Sequence, residues 1–469
     1  MSLPVAPISL NNPDWVNILN NLQCNIVKHH GRIHAWHVFF EIKPAAIAEA
    51  KKWLAKLKGQ LKNAHDQIDE AAKFRAAEAK NEKFDGGIIE TISFSKTGLD
   101  KLGLTAELNL MDDGFNKGMK SREDLFDDPN QFDPEFNETI DVLLLIADNS
   151  EGRCKRRLDK RLAELAVFAT VHVQQKGKVE LNGEIGVEHF GYADGVSQPL
   201  YLDTEINAQH STVHWNDAAE PARLLVTGGI ADEVIGSYLV FRKLEQDVNA
   251  FKEAEQRDKG GKFDPRHLCP VHNAAGNEND ELAGAMVVTR FEDGTPTIFH
   301  SEAAERHSNK EMDNDFDYST DPQGVKCPFH GHVALTNPRS RGLGTAANKE
   351  KRITRRGIPY NDTGIKRTFK EGENTNEFTK NLGLLFMCYQ SSIVDQFEFI
   401  QITWANQGNL GPSGMVGQDP IIGQGPNSTP KTLPSQWGNT ASKQQNINFG
   451  SFVTTKGGEY FFTPTFNFL

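Results

Sequence analysis

Apolar and polar positions along the chain follow two periods in turn. Residues 36–42 form a short run rich in β-branched and aromatic side chains and predict a strand. Residues 45–61, with Ile47, Leu54 and Leu57 turned inward, predict a helix. Residues 88–94 and 141–146 read as further strands, and residues 70–83, rich in Ala, Glu and Lys, as an exposed helix whose charges form a solvated face. Residues 156–171 place Leu158, Leu162, Leu165 and Ala169 at steps of four, three and four, the spacing of an amphipathic helix. The second half repeats the plan, with strands over 238–242 and 383–390 and helices over 246–255 and 393–406. The last of these aligns Ile393, Phe397, Ile400 and Trp404 on one stripe. Strands interleaved with long helices, twice over, predict an α+β fold of two sandwiches, each with its helices on one face of its sheet. Periodicity leaves the strand order open.

A chain of 469 residues can bury a large core and predicts two domains or one large composite. The polar segment between Leu202 and Ile235 carries the expected boundary, dividing the chain into 1–215 and 216–469. Three other polar stretches, 257–280, 302–323 and 407–450, are long for connections in a compact domain. They predict ordered insertions, some of them walling a substrate channel. Hydrophobic content of 38% with 9% aromatics fits a soluble globular protein with long surface loops. A net charge of -12 and a pI near 5.7 argue against nucleic acid as the default partner. The five cysteines, Cys24, Cys154, Cys269, Cys327 and Cys388, are scattered and contain no CxxC pair, so neither a disulfide framework nor a zinc knuckle is indicated. The first fifteen residues lack a basic segment followed by a continuous apolar one, and no apolar run reaches the length of a bilayer span. A reducing, cytoplasmic compartment without membrane attachment is the expectation.

Chemistry-bearing residue types gather in residues 327–360, CPFHGHVALTNPRSRGLGTAANKEKRITRRGIPY. This stretch has too many Gly, Pro and Arg for one helix and too little alternation for a strand, so it predicts an ordered loop system. His330 and His332 follow Cys327-Pro328, and Arg352, Arg355 and Arg356 form a cationic cluster further on. A neutral imidazole is a good ligand for iron, zinc or copper, and a guanidinium stays charged and stabilises developing negative charge. Ligand on one side and cation on the other suit a metal that activates an oxygen species. With 15 histidines in the chain, residue types alone favour the plainer reading, two histidines in a polar loop and a solvated cationic face. The same is true of Asp194 in residues 188–199, EHFGYADGVSQP, where Ala-Asp-Gly by itself is an ordinary turn with Gly195 at positive φ.

The longer strings change that balance. Phe190-Gly191-Tyr192-Ala193-Asp194-Gly195, followed by Ser197-Gln198-Pro199, closely resembles the GxxDG signature of dye-decolorizing peroxidases, whose aspartate lies on the distal side of a haem b. Cys327-Pro328, His332 and Thr336-Asn337-Pro338-Arg339 resemble the family's proximal-histidine motif, and Arg355 with Gly357-Ile358-Pro359-Tyr360 resembles its distal-arginine motif. Residues 22–32, 384–386 and 458–462 resemble further family strings, so the likeness spans nearly the whole chain. It implies two ferredoxin-like domains with four-stranded antiparallel β-sheets and peripheral helices, of the dimeric α+β barrel-like superfamily. The first domain would carry the GxxDG motif and the second would bind one haem b, an iron protoporphyrin IX, per chain.

The resemblance also implies roles. His332, rather than His330, is the axial ligand, leaving the opposite iron face open to hydrogen peroxide. Asp194 takes the peroxide proton and returns it to the leaving oxygen. Arg355, rather than Arg356, stabilises the charge of heterolytic O–O cleavage on the way to a ferryl intermediate. Leu384 and Phe386 alternate with Leu385 and face the distal pocket, with plain core as the other reading. Gly195 and Ser197 count among the cofactor-binding residues. Arg339 pairs a haem propionate, with an interdomain ion pair as the other reading. An aspartate base stays ionised at acidities where imidazole is protonated, so an acidic activity optimum is expected.

Two departures stand out. Ala334 replaces an arginine common two positions after the proximal histidine, and Ser392 lies where many relatives carry a carboxylate that hydrogen-bonds the proximal imidazole. Asp395 is nearby, but Ser392-Ile393-Val394-Asp395 reads as a helix cap. The expected activity is a haem-dependent peroxidase that reduces hydrogen peroxide and oxidises bulky dyes, phenolics and small electron donors. Two alternatives belong to other classes: a haem-binding or haem-processing protein with incidental peroxidase activity, and a cofactor-free binding protein whose motifs are turns.

Overall fold

The first half of the chain supplies four strands, β1 (His34–Ile42), β2 (Ile89–Phe94), β3 (Val142–Asp148) and β4 (Ala169–Lys178), paired antiparallel in the order β2-β3-β1-β4. The second half supplies β5 (Glu233–Gln246), β6 (Thr354–Arg355), β7 (Ile358–Asn361), β8 (Leu382–Gln390) and β9 (Val453–Pro464). These pair antiparallel in the order β6-β8-β5-β9, and β7 also pairs with β8. The computed structural model describes residues 3–4, 6–208, 215–228, 233–255, 268–279, 281–303, 314–369, 378–411, 414–426, 429–450 and 452–469. Parts of the expected domain boundary and of the expected insertions over 257–280 and 302–323 lie outside the described residues.

The two halves join edge to edge, and the joint is held by side chains as much as by backbone. Phe462 of β9 pairs with Phe94 of β2. Buried Gln23 accepts the Ile92 N–H at 2.9 Å and donates to Ile92 O at 3.0 Å and Pro464 O at 2.9 Å, so one amide straps both strands. At the far edges the sheet curls back on itself. A Cβ on Gly177 of β4 would lie 2.6 Å from Ile358 of β7, so only glycine permits this approach. Gln175 donates to Asp362 across the same gap at 3.1 Å. The result is a curled antiparallel barrel with helices outside, as the α+β expectation required. Phe39 of β1 meets Phe241 of β5 at 4.6 Å and Phe136 at 5.3 Å, tying the halves through one aromatic cluster. Truncating such a fully buried ring costs about 3–5 kcal/mol.

Several element boundaries differ from the periodic reading. The helix expected over 156–171 runs instead over Glu151–Leu165, because the Ser150 hydroxyl caps its start by accepting the Arg153 N–H. The strand β4 begins at Ala169, which pairs with Ile42 of β1, so Ala169 is buried on a sheet and not on a helical stripe. Asn63 caps a helix over Ala64–Glu78, earlier than expected, and Ile47–Lys58 buries Ala50, Trp53, Leu54 and Leu57. The helix Ile393–Asn406 lies where predicted, with Ile393, Phe397, Ile400 and Trp404 all buried. Its start is the predicted cap, Ser392 Oγ accepting the Asp395 N–H at 3.2 Å. Among the described residues no helix is long and apolar enough to cross a membrane, and all five cysteines are free thiols.

Candidate active site

Residues 327–360 fold as two short helices, His332–Thr336 and Thr345–Glu350, followed by β6 and β7. Gly331 sets the first helix against its neighbour: a Cβ there would lie 2.3 Å from Thr289 and 2.9 Å from Met286 O. With glycine the turn packs flush, and His332 at the helix start reaches the wall of a cavity of about 570 Å³. That volume falls in the range of cofactor-sized pockets, ~300–1,000 Å³. His330 is buried away from the cavity wall, and burial pushes its pKa down to about 3.

Seven of the eight expected site residues line this one cavity: His332, Asp194, Gly195, Ser197, Arg355, Leu384 and Phe386. Leu385, between the last two, is fully buried on the other face of β8, as strand alternation requires. Arg355, on β6, donates from Nη1 to Asp194 Oδ1 at 3.2 Å and from Nη2 to Ser197 O at 2.8 Å. Gly195 N–H donates to the same Asp194 oxygen at 2.6 Å. Arg356 spends its guanidinium on Asn25 O, Ile26 O and Arg355 O, which makes it a structural strap.

Arg339 is the eighth residue, and it does not line the cavity. It is fully buried one layer behind, donating Nη1 to Asn314 O at 2.7 Å and to Phe316 O, with its guanidinium 3.9 Å above the Phe316 ring. Among the described residues no ion pair forms at it, and its Nε and Nη2 find no partner. On the cavity wall in front of it, Arg352 shares the face of Trp215 with Arg339. Arg352 donates Nη1 to Asp217 O at 3.2 Å, its Nη2 has no partner among the described residues, and burial lowers its pKa to about 10.

The group that sequence reasoning missed is Asp419. Its Oδ2 accepts a hydrogen bond of 2.9 Å from His332 Nδ1, while Oδ1 accepts the N–H groups of Ile421 and Ile422 at 2.8 and 3.0 Å. Burial works to lower the His332 pKa, but the Asp419 carboxylate overrides it and leaves it raised. Burial likewise works to raise Asp419, and the imidazole with the two amides holds it below the usual range. Asp419 sits in the polar stretch read only as an insertion, in the string Gln418-Asp419-Pro420-Ile421-Ile422. An acid followed by two apolar residues in a Gly-rich segment was the one signal available.

The residues present suit a porphyrin. One imidazole on the wall has its tautomer fixed, apolar Leu384 and Phe386 face the same space, and Arg352 offers an unpaired N–H. Among the described residues no group of three or more His, Cys, Asp or Glu could hold a bare metal ion.

Sequence and structure comparisons agree on the class. A profile of the DyP dimeric alpha+beta barrel domain matches residues 21–180, and one of the Dyp-type peroxidase C-terminal region matches residues 303–411. The chain is 35% identical to the multifunctional dye peroxidase DyP2 of Amycolatopsis sp. over 96% of its own length and 95% of the relative's. A solved structure of DyP2 from Amycolatopsis sp. ATCC 39116 superposes with a TM-score of 0.84 at 33% identity, covering 99% of this chain and 98% of that one. The DyP-type peroxidase of Anabaena sp. superposes with a TM-score of 0.83 at 32% identity, covering 100% and 97%. A dye-decolorizing peroxidase solved in complex with 2,6-dimethoxyphenol is 27% identical, with a TM-score of 0.74 and coverage of 96% and 98%. The chain belongs to the dye-decolorizing peroxidase family.

Proposed function

We propose that this chain holds one haem b in the described cavity, with His332 Nε2 as the axial ligand, and uses it to reduce hydrogen peroxide while oxidising dyes and phenolic donors. The observation that carries the proposal is that His332, Asp194 and Arg355 open on one cavity while Asp419 commits the other ring nitrogen of His332. With Nδ1 donating to Asp419, the lone pair of Nε2 is left to ligate iron. Bound haem would supply the redox-active iron that passes electrons to peroxide and recovers them from donors.

The rest is the work of this chain's side chains. Asp194 Oδ1 is engaged by Arg355 and Gly195, so Oδ2 takes the peroxide proton and delivers it to the departing oxygen. Arg355, held by Ser197 O, keeps a fixed positive charge where negative charge develops on that oxygen. Leu384 and Phe386 limit water beside these groups, which strengthens both interactions. The solved relative in complex with 2,6-dimethoxyphenol supports phenols as donors here. In this reading residues 1–215 form the unit that brings Asp194, and residues 216–469 the unit that brings His332 and Arg355.

Soret absorbance and steady-state peroxide turnover of the wild type, His332→Ala and Arg355→Leu test the proposal. His332→Ala should lose stable haem uptake, and Arg355→Leu should keep haem and lose most of its rate. A haem-processing protein with incidental turnover would keep its haem traffic in Arg355→Leu. Absence of Soret absorbance in the wild type after haem addition would remove the assignment.

A further inference from the structure

The loop that carries Asp194 is held by a residue with no assigned part in peroxide chemistry. Glu188 lies on the cavity wall, and its Oε2 accepts the Phe190 N–H at 2.8 Å while its Oε1 accepts the Tyr192 N–H at 2.9 Å. Gln246, the last residue of β5, donates its side-chain amide to the same Oε2. The Glu188 backbone closes the same turn, its N–H donating to Tyr192 O at 3.1 Å and its carbonyl accepting the Gly191 N–H at 3.0 Å. The turn requires Gly191 at φ +103°, where a Cβ would also come within 3.1 Å of Glu292 Oε1. Downstream, Ala193 N–H donates to Glu292 O at 2.9 Å and Asp194 N–H to Gly186 O at 3.0 Å. The backbone entering Asp194 is thus tied through one carboxylate to a strand in the middle of the barrel sheet.

Glu188 is built to hold rather than to react. Three N–H donors take up its two oxygens, and the charged groups that face it are Asp194 on its own loop and Arg367 from the segment after β7. Arg367 donates to His189 O at 2.9 Å, so it grips the same loop by its backbone. Replacing the carboxylate with a neutral acceptor would leave at least one buried N–H without its partner.

We propose that Glu188, anchored by Gln246, is a positioning residue that fixes Asp194 beside Arg355 over the cavity. The inference rests on the reading of Asp194 as the group that moves the peroxide proton. A carboxylate displaced by about 1 Å from its working position can cost a reaction on the order of 10²-fold.

The test uses the haem-loaded full chain at pH 8, where Glu188 is ionised, and the rate of the peroxide-driven Soret change. E188Q keeps the side-chain size but turns an NH₂ toward N–H donors; Q246L removes the anchor from the sheet side without touching the loop. Each variant should keep its haem content and slow the reaction, by about tenfold to hundredfold for E188Q and less for Q246L. In a D194N background neither should slow it further, because the effect passes through Asp194. Amide hydrogen exchange at residues 189–195 of the haem-free chain should speed up in both variants. Equal slowing with and without Asp194, or no change in rate and exchange in either variant, overturns the proposal. A D194N protein that reacts as fast as the wild type removes the reading of Asp194 itself, and the role of Glu188 falls with it.

Discussion

Asp419 accepts a 2.9 Å hydrogen bond from Nδ1 of His332 although 87 residues separate them in the chain. Two backbone N–H groups lock the other carboxylate oxygen, so the pair is rigid and the imidazole can present only Nε2 as a ligand. A carboxylate behind a ligating imidazole raises its basicity and electron donation. Asp419→Asn should therefore keep haem, shift the iron(III)/iron(II) midpoint upward in potentiometric titration, and slow the peroxide reaction by roughly 10–100-fold. An unchanged midpoint would show that Asp419 only shapes the loop. His330→Ala should leave the Soret band intact, because that ring is buried off the cavity wall.

Arg355 and Arg356 are neighbours with opposite duties, and their variants should separate activity from stability. Arg355→Leu removes the charge at the cavity and should lower kcat by about 10²–10³-fold with little change in Tm, in line with losing one preorganised donor. Arg356→Leu removes donors to Asn25 O and Ile26 O and should lower Tm by several degrees while the rate per bound haem stays close to wild type. Steady-state kinetics normalised to Soret absorbance, with thermal melts of the same samples, decide between the two.

How far the sequence could be read follows from what each part depends on. The strings around Asp194, His332 and Arg355 marked the candidate site because each proposed role calls for one residue type at one place on a local motif, and the fold brings all three to one cavity. The Ser392 cap was legible for the same reason, being complete within four residues. Asp419 was not, since its partner is set by tertiary contact and no spacing relates it to His332. The start of the strand Ala169–Lys178 was absorbed into a helix expected to run to residue 171, because Leu158, Leu162, Leu165 and Ala169 keep a helical rhythm. Pairing with β1 decided the matter, and that pairing is invisible along a single segment. Arg339 was expected at the cavity but lies buried behind its wall, because a motif names a residue without saying what stands in front of it.

Arg352 should carry part of the cofactor's affinity. Its guanidinium is nine-tenths buried on the cavity wall with an Nη2 that no described residue pairs, a costly arrangement unless an anion such as a propionate completes it. A charge-assisted hydrogen bond is worth about 1.5–3 kcal/mol, so Arg352→Leu should weaken haem uptake by roughly 10–100-fold. The loss should vanish with haem dimethyl ester, which has no carboxylates. Equal losses for both porphyrins in spectrophotometric titration would assign Arg352 to packing against Trp215 instead.

Acid should unfold this protein in a window set by its buried histidines. Burial lowers the pKa of His37 and of His189 from 6.5 to about 4, and that of His30 well below 6.5. Between about pH 6.5 and 4 the unfolded chain binds protons at these positions and the folded chain does not. The stability these groups contribute is therefore complete above pH 6.5 and is lost as the pH falls toward 4. The stability lost by pH 4 is at most about 3 kcal/mol each for His37 and His189, against a total on the order of 5–15 kcal/mol, so a few such groups decide the outcome. Glu188 runs the other way: burial raises its pKa from 4.5 to about 7, and the stability from protonating it fades as the pH rises through 7. Thermal melts of the haem-free chain from pH 8 to 4.5 should show Tm falling below pH 6.5. His37→Phe, which removes one titrating group beside Phe241 and its unpartnered Nε2, should make that fall shallower. A slope identical to wild type would exclude His37 from the acid transition.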